Sequence, residues 1–273
     1  MKGAQTTASW QDGDARNGSD NCGIERITSK KVLPPRAWHW NAVLKLRRAA
    51  VQAMLPLVPD KIALPIISGP ARGMRWRRDN CNSCFWLGTY ERPKCEAFVR
   101  ELKPTDVFYD IGANSGYYSL VAATRCKQVI AFEPFPRNIA RFRANMTLNK
   151  LRNVTLIERA LSDRVGVMRF VEGPDTESGS LSASGTIEVS VMTLDAASLE
   201  AAPPDIIKMD IEGGELSALL GGMATLQSFR PVLFLATHGE AIHLGCLQLL
   251  KNLNYEVELL QDDEILARPG ARV

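Results

Sequence analysis

The chain has 273 residues, 45% of them hydrophobic and 23% charged, with a net charge of +3. That is the composition of an ordinary globular protein of one large or two small domains. No apolar run reaches the roughly 18 residues of a membrane span, and the small net charge selects no particular class of partner.

The charge is unevenly placed. Lys30, Lys31, Arg36, Lys45, Arg47, Arg48, Lys61, Arg72, Arg75, Arg77 and Arg78 face a single acid, Asp60, over 30–78. This stretch is either a solvated basic face or one with a preference for anionic surfaces. Residues 1–33 are polar and glycine-rich and are expected to form a disordered tail. No secretory apolar stretch follows Met1, and the cysteines are thinly spread. Both features point to a cytoplasmic protein with free thiols.

Residues 34–103 form an expected helical segment that caps a substrate site. Over 36–59, Val43, Leu46, Ala50 and Met54 recur at helical spacing, with Lys45, Arg48 and Gln52 elsewhere. Pro56 and Pro59 end the pattern. Its apolar stripe can pack on the main domain, cap a pocket or lie on a membrane. Pro65, Gly69, Pro70 and Gly73 mark loops, and "FWLGTYERPKCEAFVREL" leads through a further helix. Cys81 and Cys84 form a C-x-x-C followed by Cys95, but no fourth ligand stands at matched spacing, so no metal site is predicted.

From residue 104 to 273 strands and helices alternate. Strand "VFYDIG" precedes helix "SGYYSLVAATRC"; strand "QVIAFEP" precedes helix "RNIARFRANMTLN"; and "VTLIERAL" is a third strand. A hairpin-like excursion, "VMRFVEG" and "TIEVSVMTLD", interrupts the rhythm. It resumes with strand "DIIKMDIE", helix "GELSALLGGMATLQS", strand "PVLFLATH" and helix "EAIHLGCLQLLKNL". The final strands, "YEVELLQ" and "EILARP", are too close for a parallel crossover. The prediction is an α/β, doubly wound, mostly parallel seven-stranded sheet with one antiparallel strand near its edge.

Ligands of such sheets sit beyond the carboxyl ends of the strands. The first strand ends in Asp110-Ile-Gly112-Ala-Asn114-Ser-Gly116. Gly112 permits a positive φ or close backbone approach, and Gly116 lets the following helix pack tightly. A dinucleotide turn would read G-x-G-x-x-G; here an acid precedes the first glycine, which suits an ammonium group. The second strand ends at Glu133, placed to accept from ribose hydroxyls. The free amides at the helix start after Gly116 suit a carboxylate, and ammonium, carboxylate and ribose together describe S-adenosyl-L-methionine.

"FYDIGANSGYYSL", "VIAFEPFPRN", "ALSD" and "IIKMDIEGGE" together resemble the FkbM-type family of S-adenosylmethionine-dependent methyltransferases, which share a Rossmann-like fold. The resemblance implies that Asp110, Gly112, Asn114 and Gly116 form the methionine-binding turn, that Glu133 holds the ribose, and that Ser162 and Asp163 lie near the adenine. Lys208, Asp210 and Glu212 would share one side of the fourth parallel strand if it continued that far. Asp210 is the leading acid for catalysis or orientation, Glu212 the next, and Lys208 is expected to pair with an acid. His238, at the end of the next strand, is the candidate general base or a structural hydrogen-bonder. Many relatives carry a Glu two residues before this histidine; here that position is Ala236, which puts a Glu–His pair in doubt. No Asp/Asn-Pro-Pro-aromatic run follows the fourth strand. The expectation is O-methylation of a saccharide, glycolipid or polyketide-like hydroxyl. An RNA methyltransferase using the basic segment and a non-catalytic binding protein are the alternatives. Trp76 in the basic segment is a candidate for stacking on a sugar or for a lid.

Overall fold

The computed structural model describes residues 61–78, 83–173, 179–261 and 263–271, together with 46, 49–54 and 57–59. The expected tail (1–33), His39 and Cys81 lie outside the described residues. A seven-stranded sheet is built from β3 (Val107–Ile111), β4 (Gln128–Phe132), β5 (Val154–Ile157), β10 (Ile206–Met209), β11 (Val232–Ala236), β12 (Tyr255–Gln261) and β13 (Glu264–Pro269). Its spatial order is β12-β13-β11-β10-β3-β4-β5, and β13 alone runs against its neighbours, one place in from the edge. The expected architecture is therefore present. After β3 the chain winds outward through β4 to β5, and from β10 it winds the other way through β11. The switch point falls between β3 and β10, where open α/β sheets bind ligands.

The strands at the switch point are buried along their whole length, as expected when helices cover both faces. Alternation divides their side chains between two cores. Phe108, Val129, Ala131, Ile206 and Phe234 pack on one face, with Trp76, Phe98 and Tyr118. Val107, Tyr109, Ile111, Ile207, Met209 and Leu235 pack on the other. Helices α1 (Ser83–Leu87), α2 (Arg92–Glu101), α3 (Tyr117–Ala123) and α4 (Pro136–Leu148) precede β5. After the excursion come α5 (Leu194–Glu200), α6 (Glu215–Leu220), α7 (Met223–Ser228) and α8 (Glu240–Asn252).

Several predicted elements divide. The third strand breaks after Ile157: β5 joins the main sheet, while β6 (Ala160–Leu161) starts a second sheet with β7 (Gly166–Glu172), β8 (Gly179–Leu181) and β9 (Ile187–Met192). The single helix expected over 214–228 is two, separated at Gly221-Gly222. A side chain at Gly221 would meet the Ser162 carbonyl oxygen at 2.2 Å, so the break follows from close backbone approach. The helix expected before Lys103 is α1 and α2, with Pro93 in the first turn of α2. The loop markers at 65–73 sit inside an unforeseen hairpin, β1 (Ala63–Pro65) against β2 (Arg75–Arg77). Of the helix expected over 36–59, residues 49–54 are helical. Val51 and Val58 pack against the core, whereas Leu46, Ala50 and Met54 of the predicted stripe are exposed. Trp76 is wholly buried and stacked on Phe85 at 5.0 Å, so at least one of its ring faces is already covered by protein.

Candidate active site

Asp110 stands one residue before the end of β3, opposite Lys208 of β10, and Asp210 follows β10 at the same switch point. The turns after the two strands touch. Gly112 has φ 76°, and a Cβ there would lie 1.9 Å from the Asp210 carbonyl oxygen, so only glycine fits. At Gly116 (φ 90°) a Cβ would strike Phe142 and Met146 of α4. Asn114 is also left-handed, at φ 48°. Its amide donates to Glu133 Oε2 at 2.8 Å, which ties this turn to the end of β4.

A cavity of about 380 Å³ opens above these strand ends. Its wall includes Asp110, Gly112, Asn114, Glu133, Lys208, Asp210, Glu212 and His238, so eight of the sequence-predicted site residues converge there. Gly116 sits behind them as the start of α3. Ser162 and Asp163 do not reach the wall; Ala160 and Leu161 line it instead. Ser162 is buried and donates to Asp163 Oδ1 at 3.2 Å.

Asp110 is 1% exposed. Its Oδ2 accepts from Ser119 Oγ at 2.6 Å, and Oδ1 has no protein partner. Burial pushes its pKa up, against the pull of Lys208 and the Ser119 hydrogen bonds. Glu133 is buried too. Its Oε1 accepts from the Phe135 amide at 3.0 Å and from Asn138 Nδ2 at 3.4 Å. Burial raises its pKa, and these donors with the Asn114 amide oppose the rise.

The strand ends before Asp210, and Glu212 takes a left-handed φ of 55°, so strand alternation does not place Glu212; the turn does. Lys208 Nζ lies 3.3 Å from Asp210 Oδ2 and 5.1 Å from the Tyr118 ring centroid. The expected pairing of Lys208 with an acid is thus present. Burial alone would raise the Asp210 pKa, but Lys208, Lys94 and His238 outweigh it and hold it below the usual carboxylate range. Lys208 titrates above its ordinary range: burial pulls it down, and Asp210, Asp110 and Glu91 more than compensate.

His238 Nε2 faces Asp210 Oδ1 at 3.8 Å and Glu212 Oε2 at 3.5 Å. Its Nδ1 lies 2.9 Å from Glu215 Oε1. The hydrogen bond to Glu215 raises the imidazole pKa to about 9; burial opposes, and the charges of Glu215, Glu212 and Asp210 add to the rise. The carboxylate doubted at position 236 is thus supplied by the first residue of α6. Asp210, Glu212 and His238 each offer one ligand atom, all within 4.8 Å of one another, the one such grouping among the described residues. Lys208, 3.3 Å from Asp210, already supplies positive charge to it. His243 lies apart from this grouping, with Nδ1 2.7 Å from Thr237 Oγ1.

Sequence reasoning missed a second layer. Glu91, in left-handed backbone at φ 40°, accepts from Tyr118 Oη at 2.8 Å. Lys94 reaches Glu264 at 2.5 Å and Glu91 at 3.4 Å. Glu91 and Glu264 line the cavity. They lie 173 positions apart and share no periodicity, so only folding joins them.

Residues 110–257 match the family model described as the methyltransferase FkbM domain. Hexuronic acid methyltransferase AglP of Haloferax volcanii is 28% identical over 142 residues, 50% of this chain and 59% of that protein. The 2-O-methyltransferase NoeI of Sinorhizobium fredii is 33% identical over 154 residues, 47% of this chain and 62% of that one. The 31-O-demethyl-FK506 methyltransferase FkbM of Streptomyces tacrolimicus is 39% identical over 77 residues, 28% of this chain and 29% of that one. The matches span less than two thirds of each of these relatives.

Proposed function

The chain belongs to the methyltransferase FkbM domain family, and we propose that it moves a methyl group from S-adenosyl-L-methionine to a hydroxyl of a saccharide, glycolipid or polyketide-like acceptor. The observation that carries this reading is Asp110: a carboxylate 1% exposed, in the cavity wall, with one oxygen lacking a protein partner. A buried carboxylate in that state fits a cationic ligand group, and the cavity is of the size that encloses a small ligand.

When bound, S-adenosyl-L-methionine supplies an electrophilic methyl on a sulfonium. Asp110 Oδ1 would hold its ammonium group, and Glu133 its ribose hydroxyls beside the amides it already accepts from. Gly112, Asn114 and Gly116 shape the turn under the methionine end. Ala160 and Leu161 replace Ser162 and Asp163 along the adenine edge. The acceptor would enter against Asp210, Glu212 and His238. Lys208 keeps Asp210 ionised beside the His238 ring, and the acceptor's hydroxyl hydrogen points at Nε2. His238 Nε2 is the destination of the proton, once the ring has lost its own. Glu212 and Asp210 then stabilise the imidazolium that forms.

The O-methyl transfer in two of the relatives' names supports an oxygen acceptor, and the hexuronic acid of the third supports a saccharide. Carboxylates outnumber the basic Arg141, Arg159 and Lys208 in the cavity wall, which opposes a nucleic-acid phosphate. The domain in this reading runs over 104–273. No helix of the described residues is long and apolar enough to cross a membrane, and the free thiols of Cys95, Cys126 and Cys246 support a reducing, cytoplasmic setting. Calorimetry with S-adenosylhomocysteine tests the cofactor, and a labelled methyl donor in extract with mass spectrometry of the products tests transfer. Absence of heat with the nucleoside would overturn the reading.

A further inference from the structure

We propose that Glu215 is the positioning residue of this site: it grips the His238 ring by Nδ1 and so aims Nε2 at the acceptor oxygen. What Nε2 does rests on the methyltransferase reading; where it points rests on geometry alone.

The Glu215 side chain is 0% exposed, at the first position of α6, behind the cavity wall. One oxygen, Oε1, gathers three nitrogens: the amides of Ile211 at 3.1 Å and Gly213 at 3.2 Å, and His238 Nδ1 at 2.9 Å. The two amides can only donate, so Oε1 is an acceptor, and Nδ1 must bring a hydrogen to it. The neutral ring is therefore the Nδ1–H tautomer, with its lone pair on Nε2. That atom faces Asp210 and Glu212, and Lys208 neutralises Asp210 from the far side. The same oxygen braces the left-handed turn that presents Glu212. One buried carboxylate thus sets the ring's tautomer, its orientation and the placement of the neighbouring acid. His238 comes from the end of β11 and Glu215 from the helix after β10, so the pair also locks two strand ends together at the active edge.

Nitrogen-15 spectra of the His238 ring in the whole chain test this without any acceptor, in wild type, E215Q and E215A. In wild type the neutral ring carries its proton on Nδ1. In E215Q the amide oxygen still accepts, so the tautomer persists while ring ionisation falls by about one pH unit or more. In E215A the Nδ1–H tautomer loses its dominance. If E215A does not fold, E215Q decides by its ionisation. Methyl transfer by E215A is expected to lose kcat with KM and S-adenosylhomocysteine affinity retained, whereas E215Q keeps transfer and its pH profile levels off about one unit lower or more. Wild-type tautomer and ionisation in both variants would overturn the proposal. Wild type that fails to bind S-adenosylhomocysteine would instead overturn the methyltransferase reading and leave the ring assignment standing.

Discussion

Replacing Asp110 by Asn keeps the shape of the side chain and removes its charge. Ser119 can still donate to the amide oxygen, as it now does to Oδ2 at 2.6 Å. The atom without a partner in the cavity wall becomes an NH2 that repels an ammonium group. The fold itself loses little, because burial already works against this carboxylate and Lys208 keeps Asp210 at 3.3 Å. What is lost is a hydrogen bond between two charged groups, about 1.5–3 kcal/mol, which is roughly a 10- to 150-fold loss of affinity. Calorimetry should show that loss for S-adenosylhomocysteine and none for methylthioadenosine, which lacks the amino-acid end. Unchanged affinity for S-adenosylhomocysteine in D110N, or an equal loss for both ligands, refutes Asp110 as the ammonium site.

At Gly112 the backbone is left-handed and Asp210 leaves no room for a Cβ. G112A should lower thermal stability by well over the roughly 1–2 kcal/mol of a left-handed residue, whereas G73A, with φ 87° and open space around it, should cost only about that amount; equal melting shifts refute the packing argument. A His238 pKa of about 9 leaves about 1% of the ring neutral at pH 7. Transfer at saturating substrate should therefore rise about tenfold per pH unit from 7 and level off beyond 9; a flat profile over that span removes His238 as the base. Lys94 is 5% exposed between Glu264 and Glu91, so K94M strands two partly buried acids and should cost about 3–5 kcal/mol in urea unfolding. Adding E264Q should recover part of it, and full additivity of the two changes would count against the pair.

The parallel strands were legible because burial on both faces demands continuous apolar runs, and "VFYDI" or "VLFLA" reads no other way. Asp110 and Glu133 were legible as well, since a carboxylate that ends such a run has no place in a core. The break after Ile157 was not. Nothing local in "VTLIERAL" says that Glu158 and Arg159 carry the chain from one sheet to another. The Gly221-Gly222 interruption depended on the Ser162 carbonyl oxygen, some sixty residues earlier.

The acid that holds His238 shows the same division. Glu215 sits three positions after Glu212, where an acid at a helix start is accounted for by the helix itself. Only the pairing of β10 with β11 brings it beneath the histidine. The sequence alone determined the order of strands and helices and which strand ends carry charge, because periodicity and burial are local properties of a chain. Which charges meet, and which nitrogen of the imidazole is left to act, were decided by the tertiary structure, because hydrogen bonds and ion pairs depend on distances that only the packed sheet sets.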